Sequence, residues 1–550
     1  MKKLHYSLAI GILLSLFVLA GVCTAAQVGK TQPSGTLTAG FTTLGNEQLF
    51  IPLADSNGSQ LLGNVCESLV TLDSKGRVKP MLADKWEISP DGKMYTFFLH
   101  KGVQFHGGWG ELTAEDVKYT VERIINERAS QNPHAGPLRA LIASIQVVDP
   151  YKVIFNLKAP SWSLLQLINH MDPFPCVSIT SKKYLESIGD AKAAQNPIGT
   201  GPWWLVEAQK GNQYKLEAVE NHWRQTPRFK NLVFKIIPEE ATRLSMIKTG
   251  ELDITEISLA SKKEAERQGI RLRSNPGVAH LWVQLGGIIT PRYESFDPSI
   301  PWVPIPGDAK ASERALKVRK ALALAIDKEQ ILKQFYSGET ALTAVPLFNP
   351  GSPSTDPRWK PYPFDPQQAR KLLAEAGYPH GFDKPIEILL IQKLGSEELP
   401  EVGRAVGMMW EKNMGLKVNY FTMVHDAFRP QLVARKWKNP MFVRADAVQA
   451  STEPVSTYQL NSYKYGTTCN LFETDTTDQL ITQILAEMDS KKRATLHRKL
   501  GQYIYDNYLA IPVGVKNGLY AISDRVGDLS LVPGRSHSLN NVFDQITLAK

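Results

Sequence analysis

The alternation of apolar and polar positions predicts a mixed α/β chain whose first half is rich in strands. After a turn at residues 89–92, apolar side chains alternate over 95–99, which predicts a β-hairpin across 86–103. A helical apolar stripe begins behind Thr113, and Asp116 stands where it can complete a capping box. We therefore expect sheet and helix to be packed together from early in the chain.

Apolar positions in the second half recur at helical spacing. The predicted helices cover 313–326, 328–335, 402–413, 477–488 and 491–507. Two predicted strands, at 386–391 and 416–422, flank the helix at 402–413. A strand, a helix and a second strand in succession are typical of an α/β lobe. Five prolines between residues 286 and 309 interrupt the pattern and indicate either a linker or an ordered surface loop.

The first 26 residues have the pattern of a secretory signal peptide. Two lysines precede an apolar stretch over 8–22, and small residues at 24–26 suit cleavage by a signal peptidase. The stretch is shorter than the roughly 18–20 residues of a membrane span, so we expect an exported, soluble mature protein. Cys23 offers the alternative of a lipid anchor, although Val22 is larger than the residue that usually precedes a lipidated cysteine.

Composition excludes several classes of protein. The 550 residues are 43% hydrophobic and 21% charged, which is ordinary for a globular chain of several domains. The net charge of +9 is dispersed rather than gathered in a long basic run, so we expect no nucleic-acid partner. Beyond the signal, Cys66, Cys176 and Cys469 permit at most one disulfide and lack the spacing of a metal knuckle.

The usual catalytic signatures are absent from the sequence. It contains no nucleophile elbow, no Walker-type phosphate loop, no dinucleotide fingerprint and no His-Glu-x-x-His motif. His100 and His106 are the closest pair of histidines, and we interpret them as structural or surface residues rather than metal ligands. We therefore expect a protein that is not an enzyme and that carries no metal or cofactor.

A series of short segments carries a more specific signal. In chain order they are LADKWE at 82–87, SPDGKMYTF at 89–97, KGVQFHGG at 101–108, LTAEDV at 112–117, IGTGP at 198–202, TGELD at 249–253, VRKALALAID at 318–327 and ARKLLAEAGY at 369–378. Together they resemble the bacterial extracellular solute-binding proteins of family 5, the peptide- and nickel-binding receptors of ABC importers. Most of the segments also have a purely structural interpretation as turn, cap or tightly packed helix, so they identify the scaffold rather than the ligand.

The resemblance implies an α/β, bilobed periplasmic-binding-protein fold of type II, with an extra subdomain in the first lobe and a ligand cleft between the lobes. The implied segments are the signal peptide at 1–26, the first lobe at 27–64, 197–284 and 511–550, its extra subdomain at 65–196, and the second lobe at 285–510. In this fold a ligand that contacts both lobes favours the closed state.

The function implied by the resemblance is that of a periplasmic, monomeric receptor without enzymatic activity. It would capture a peptide or peptide-like solute by lobe closure and deliver it to the transmembrane subunits of an ABC permease with their ATPases. Within the class, the alternative is a receptor for a nickel chelate or another small organic solute. From a different class, the alternative is a secreted hydrolase.

Peptide-binding relatives hold the ligand's α-amine with the Asp of a Trp-x-x-Asp segment, and Asp446 matches that Asp. Val443 stands where the Trp is expected, and the segment is longer than usual before Pro454. These departures count against ordinary peptide specificity. Asp446 is therefore either an amine anchor or a surface acid paired with Arg444.

The remaining candidates for ligand contact come from positions that face the cleft in relatives. They are Thr42, Thr43, Leu44 and Glu47 after the first strand, Trp109, Arg404 and Asn470. Each has a structural alternative: a turn or core for the first group, packing for the Trp, an exposed helical position for the Arg and a loop-fixing amide for the Asn. The proline-rich stretch after residue 286 is interpreted as a lid or a surface insertion.

Overall fold

The structure is a computed structural model in which a defined part of the chain is described. The described residues are 32–54, 58–73, 76–127, 132, 134–170, 177–289, 291–337, 340–348, 352–393, 396–433, 436, 440–447, 472–529, 531, 539 and 543–549. The predicted signal peptide over 1–26, including Cys23, lies outside them, as do Cys176, Cys469 and Asn470.

The strands of the described residues are distributed along the whole chain. They are β1 Thr36–Phe41, β2 Val70–Leu72, β3 Val78–Pro80, β4 Ala83–Ile88, β5 Met94–Leu99, β6 Ile142–Asp149, β7 Lys152–Leu157, β8 Trp203–Gln209, β9 Gln213–Ala218, β10 Asn231–Ile236, β11 Ile254–Ile257, β12 Arg271–Gln284, β13 Ile386–Gln392, β14 Val418–Val424, β15 Met441–Ala447 and β16 Ile511–Ile522.

The helices cluster between the strands and in the second half. They are α1 Ser59–Val65, α2 Ala114–Asn126, α3 Ala135–Leu141, α4 Leu164–Leu167, α5 Lys182–Ile188, α6 Asp190–Ala193, α7 Glu240–Thr249, α8 Lys262–Arg267, α9 Ala309–Leu324, α10 Lys328–Phe335, α11 Pro366–Glu375, α12 Leu399–Met414, α13 His425–Val433, α14 Asp475–Ala486 and α15 Ser490–Asp506, with short 3-10 turns at His106–Gly108 and Phe543–Gln545.

One long sheet connects the two halves of the molecule. Its strand order is β14-β13-β15-β12-β16-β11-β1-β10-β9-β8. We call the part built on β1 and β8–β11 the first lobe and the part built on β13–β15 the second lobe. A separate four-stranded sheet, β4-β5-β7-β6, forms the centre of a subdomain. The segment boundaries implied by the resemblance stay predictions.

β12 and β16 pass from one lobe to the other, and both are irregular where they cross. Their pairing register shifts between Asn275 and Ala279. Gly277 has a φ of 74°, a left-handed backbone conformation that favours glycine, and its N–H donates to the side chain of Asn517 at 3.0 Å. A bulge of this kind is where a strand bends, so we call residues 275–279 and 516–518 the hinge.

Two large hydrophobic clusters fill the lobes. One joins the first lobe to the subdomain and includes Phe97, Val117 and Phe234. The other fills the second lobe, includes Trp282 and Trp410, and extends to Leu244 and Ile257 on α7 and β11 of the first lobe. Burial therefore stabilises each half internally and also packs α7 and β11 of the first lobe against the second, beside the continuous backbone of the hinge strands.

Several local predictions are confirmed, and one is wrong. Thr113 and Asp116 form the predicted capping box at the start of α2. The proline-rich stretch is an ordered loop against the second lobe rather than a linker, since Trp302 is buried and its indole N–H donates to the Gly286 carbonyl at 2.8 Å. The sequence from Val65 to Val78 predicts a strand, a turn at 73–76 and a second strand, but Val65 ends α1 and the first of these strands begins at Val70. The apolar run before Val65 fits either element, because short apolar segments do not distinguish them.

The glycines of the 198–202 segment have a packing role. A Cβ added at Gly199 would lie 2.2 Å from the Val65 carbonyl oxygen, and one added at Gly201 would lie 2.5 Å from that of Asn64. The two chains therefore approach at a distance that any side chain would prevent. The structural interpretation of this segment is supported by these contacts.

Beneath these glycines lies a buried polar network centred on Glu67. Its carboxylate accepts hydrogen bonds from Thr200 Oγ1 at 3.0 Å, Trp223 Nε1 at 2.8 Å and Arg224 Nε at 3.1 Å. Arg224 also reaches Asp544 at 3.0 Å, near the C-terminal end of the chain. Burial raises the pKa of Glu67, and the nearby guanidinium opposes that rise. The network ties three distant segments of the first lobe together.

Candidate functional site

Charged side chains from both lobes meet beside the hinge. Lys516 on β16 places its Nζ 3.0 Å from Oε1 of Glu398, the residue that precedes α12 in the second lobe. Glu256 on β11 of the first lobe feels Lys516, Arg243 and Glu397 electrostatically. We call Arg243, Glu256, Glu397, Glu398 and Lys516 the hinge cluster.

Glu256 combines exposure to solvent with an electrostatic environment to which both lobes contribute. Desolvation by the surrounding protein nevertheless raises its pKa, and the carboxylates of Glu397 and Glu240 add to the rise. Solvent contact and desolvation occur together when protein surrounds a group without covering it. Charges from both lobes contribute to this rise and to the opposing effect of the cations.

The two cations of the hinge cluster are held in different ways. Arg243 is 3% exposed, and its guanidinium donates to the carbonyl oxygens of Ile237 at 2.6 Å and Pro238 at 2.8 Å. Its Nη2 lies 3.8 Å from Glu240, so that pair is neutral as a unit. Lys516 alone then stands against Glu256, Glu397 and Glu398. With all groups ionised, the hinge cluster and Glu240 together carry two positive and four negative charges, a net charge of −2.

The buried phenol of Tyr336 lies next to this cluster. The residue follows α10, is 1% exposed and belongs to the core of the second lobe. Burial raises the pKa of its hydroxyl well above the ordinary value, and the charge of Glu398 adds to the rise. A neutral, immobile ring thus supports the second-lobe end of the cluster.

The predicted amine anchor lies on the same part of the sheet. Asp446 on β15 is opposite His280 on β12, and His280 is in turn opposite Val515, the neighbour of Lys516. Adjacent strands are about 4.8 Å apart, so the backbone of Asp446 is about 10 Å from that of β16. The structure does not describe the side chain of Asp446, and its role stays a prediction.

Arg444, the alternative partner of Asp446, lies over aromatic rings. Its guanidinium carbon is 5.6 Å from the ring centroid of Trp282 and 5.8 Å from that of Phe442. Stacking of this kind holds a guanidinium against the sheet surface. The structure thus places Arg444 on the strand that also carries Asp446, beside the hinge.

The loop after β1 is fastened within the first lobe. Oε2 of Glu47 accepts hydrogen bonds from the hydroxyl of Tyr214 at 2.6 Å and from the N–H of Gly211 at 2.8 Å. Thr43 Oγ1 accepts from the Gly45 N–H at 3.0 Å, and Leu44 is buried in the core. Thr42 is half-buried. Contact of these four residues with a ligand stays a prediction.

The other predicted residues lie apart from one another. Trp109 packs edge-on against Tyr184 at 4.9 Å between ring centroids, in the subdomain. Arg404 on α12 lies 3.7 Å from Glu401 and 5.5 Å from the ring centroid of Tyr420 on the outermost strand of the second lobe. Asn470 lies outside the described residues. The ligand contacts proposed for Trp109 and Arg404 stay predictions.

Sequence reasoning missed the hinge cluster, although one signal for it was present. Lys516 follows five residues of β16, at 511–515, that are all buried and uncharged. A lysine inside such a strand needs a carboxylate partner or water. The partners, Glu256 and Glu398, are 260 and 118 positions away, respectively, and only the fold brings them near.

The structure gives no support for a metal centre or a membrane span. Within the described residues, no group of three or more His, Cys, Asp or Glu side chains is arranged to hold a metal ion. In the same part of the chain, no helix has both the length and the apolar character that crossing a bilayer requires. Cys66 is a buried free thiol, and burial raises its pKa to about 12.

A family model for the bacterial extracellular solute-binding proteins, family 5, matches residues 77–468. The chain belongs to that family. The match spans the subdomain, the hinge strand β12 and much of the second lobe. The bilobed α/β architecture predicted from the short sequence segments is thereby confirmed.

Individual relatives show how wide the family is. The dipeptide-binding protein of Escherichia coli is 29% identical over 61% of this chain and 62% of its own length. The nickel-binding periplasmic protein of Escherichia coli is 26% identical over 94% of this chain and 96% of its own. The solved periplasmic binding protein DppA of Helicobacter pylori, in complex with the peptide STSA, superposes with a TM-score of 0.76 at 22% identity, covering 94% of this chain and 99% of that one. These relatives are binding proteins rather than enzymes.

Proposed function

We propose that this protein is the extracytoplasmic receptor of an ABC importer and that it encloses a peptide or peptide-like amine between its lobes. The observation that carries the proposal is the negative hinge cluster, to which both lobes contribute carboxylates. An ammonium group removed from water requires a carboxylate partner. A ligand amine near Glu256 would therefore favour the state in which the lobes meet.

The similarity to the dipeptide-binding protein of Escherichia coli supports a peptide in particular. Main-chain pairing between an extended ligand and receptor strands tolerates many side chains, which suits a peptide receptor. Val443 in place of the expected Trp removes a large ring from the neighbourhood of Asp446. We infer that the ligand amine is recognised by charge more than by aromatic packing, with either Glu256 or Asp446 as its acidic partner.

Closure supplies the output of such a receptor. A ligand that prefers the closed state by about 5.5 kcal/mol raises the closed-to-open ratio of a two-state receptor by about 10⁴-fold, whatever the ratio without ligand. The membrane permease and its ATPases would act on the closed form that holds a solute, and no bond of the solute would need to break. The hydrolase alternative has no supporting observation among the relatives described above.

Export completes the proposal. The pattern of residues 1–26 supports passage through the inner membrane and release of a periplasmic, monomeric protein. Anchoring through Cys23 is the alternative, because a lipidated cysteine would keep the same receptor at the membrane surface. Mass spectrometry of the mature N-terminus distinguishes the two, since lipidation adds acyl mass to Cys23 whereas signal cleavage beyond it removes the residue.

The proposal is tested by calorimetric titration of purified mature protein with di- to pentapeptides and with their N-acetylated counterparts. We expect stoichiometric binding of free-amine peptides and at least about tenfold weaker binding after acetylation, since one paired charge is lost. Glu256→Gln should reduce that discrimination. Glu220→Gln, the same charge change at an exposed first-lobe position, serves as the control.

Three results would contradict the proposal. Equal affinity for free and acetylated peptides would exclude recognition of the amine. Binding of nickel chelates with no binding of peptides would favour the other solute class of the family. Recovery of cleaved peptide after incubation would favour a hydrolase. Titration of Asp446→Asn in parallel separates its contribution from that of Glu256.

A further inference from the structure

The subdomain contacts the second lobe at a position distinct from the hinge. The indole Nε1 of Trp162 donates to the carbonyl oxygen of Ile484 on α14 at 2.8 Å. Trp162 is only 8% exposed and belongs to the hydrophobic cluster of the second lobe, although it lies between β7 and α4 of the subdomain. A side chain of one lobe thus completes the core of the other.

A cation fixed by the second lobe covers the same ring. The guanidinium carbon of Arg493 lies 4.3 Å from the ring centroid of Trp162. Arg493 donates to the carbonyl oxygens of Glu487 at 2.8 Å and Met488 at 3.2 Å, beyond the end of α14. Because these bonds hold the guanidinium in place, little side-chain entropy is lost when the indole arrives beneath it.

The loop that presents Trp162 is rigid on the subdomain side. Ser161 and Ser163 share a hydrogen bond of 2.7 Å between their hydroxyls, and the hydroxyl of Tyr95 donates to the Ser161 carbonyl at 2.7 Å. The Ser161 N–H donates to the Gly92 carbonyl at 3.2 Å. The indole is therefore held in position by the hairpin of β4 and β5 whether or not the second lobe is near.

The same hairpin makes a second contact across the lobes. Gly92 lies at its turn with a φ of 68°, and a Cβ placed there would be 2.9 Å from Sδ of Met488. The contact therefore leaves no room for a side chain at the turn. Trp162 and Gly92 on one side, and Ile484, Met488 and Arg493 on the other, form a single patch.

We propose that Trp162 is a latch that holds the receptor closed in the absence of ligand. The inference rests on the proposed closure of the lobes but not on any ligand. None of the latch residues belongs to the hinge cluster. The latch and a solute bound beside the hinge cluster would therefore both favour the closed state over the open one, through separate contacts. Apparent affinity equals intrinsic affinity scaled by the closed fraction, so weakening the latch lowers affinity for all solutes by one common factor.

Small-angle X-ray scattering of the ligand-free mature protein tests the latch directly. Wild type is expected to give a compact profile, in which the subdomain contacts the second lobe as it does in the structure. Trp162→Ala should shift the closed-to-open ratio by on the order of 10–100-fold and enlarge the radius of gyration, since ring burial, a hydrogen bond and a cation–π contact are all lost. Trp162→Phe, which keeps a ring but lacks the N–H, should give an intermediate profile.

Two further variants make the result specific. Trp204→Ala removes a partly exposed indole from the first lobe, and should leave the profile unchanged. Met488→Ala weakens the patch from the second-lobe side, and should enlarge the radius of gyration even if Trp162→Ala does not fold. Identical ligand-free profiles for wild type, Trp162→Phe and Met488→Ala would overturn the latch.

Failure of the latch and failure of the proposed function have different signatures. A wild type that is open without ligand and compacts when a peptide binds refutes the latch and leaves the receptor function standing. A compact ligand-free wild type that opens on Trp162→Ala, yet binds no peptide or other solute, supports the latch and refutes the proposed ligand class.

Discussion

The carboxylates of Glu67 and Glu256 each lie near an arginine but differ in their surroundings. We assign Glu67 to maintenance of the fold and propose that Glu256 is available for recognition. Glu67 lies wholly within the first lobe and accepts bonds from Thr200, Trp223 and Arg224. Glu256 lies on β11 in the hinge cluster, and the charges that act on it come from both lobes. Burial raises the pKa of both carboxyls.

The difference lies in how each desolvated charge is compensated. The network around Glu67 supplies three donors from neighbouring segments, so a partner from outside the protein is not required. At the hinge cluster, three carboxylates share one lysine, and the remaining negative charge is compensated by water or by a ligand. The first arrangement predicts an effect on stability, and the second predicts an effect on affinity.

The largest effect is expected for Glu67→Ala. Three donors would be left unpaired in the interior, so we expect the free energy of unfolding to fall by about 3–5 kcal/mol. Urea denaturation followed by circular dichroism measures the loss. Glu217→Ala, at a less buried position on β9, is the control. An unchanged urea midpoint for Glu67→Ala would show that the network does not stabilise the first lobe.

The next effect is a loss of stability in mild acid. Burial lowers the pKa of His106 and of His222 to about 4 from the ordinary 6.5. The unfolded chain therefore binds protons that the folded protein does not between pH 6.5 and pH 4, and stability falls as the pH is lowered through that window. Each histidine contributes about 3 kcal/mol at most.

The acid effect can be assigned by mutation. His106 Nε2 lies 2.8 Å from the Gly201 carbonyl oxygen, so the neutral ring donates there. His106→Gln keeps an N–H donor and has no proton to gain. Its unfolding free energy, measured by urea titration at several pH values, should depend less steeply on pH below 6.5 than that of wild type. An equal slope would assign the acid effect elsewhere.

A smaller effect is expected for Glu256→Gln, and we expect it in ligand affinity rather than in stability. Because desolvation disfavours the charged form of Glu256, the neutral amide should leave stability unchanged or raise it slightly at pH 7. Affinity for a free-amine peptide should nevertheless fall about tenfold. Thermal unfolding and calorimetric titration of one preparation give both values. A fall in stability with unchanged affinity would show that Glu256, like Glu67, maintains the fold and does not bind the ligand.

The smallest effect is expected for Glu47→Gln. This carboxylate resembles Glu67 in accepting bonds from its own lobe, from Tyr214 and Gly211, but it lies near the surface. We expect a loss of about 1 kcal/mol in the free energy of unfolding, since water can replace part of each bond. Urea denaturation measures it. A loss as large as that of Glu67→Ala would show that exposure does not reduce the contribution of such a network.

The sequence predicted most of the scaffold because its signals are local. The capping box at Thr113 and the turn at 89–92 are each encoded within a few residues, whereas the close approach of Gly199 to Val65 joins distant positions and was not predicted. The hinge cluster and the Trp162 latch escaped prediction because they join positions more than 100 residues apart. Their members are ordinary charged and aromatic residues that have no local pattern.

The most direct test of the central claim is native mass spectrometry of mature protein purified from its own host. If the lobes enclose an amine-bearing solute beside the hinge cluster, one small molecule should be retained per chain. Its fragmentation should reveal a free amino group, and Glu256→Gln should lower its occupancy. A retained solute without any cationic group, or one whose occupancy is the same in the variant, would contradict the account.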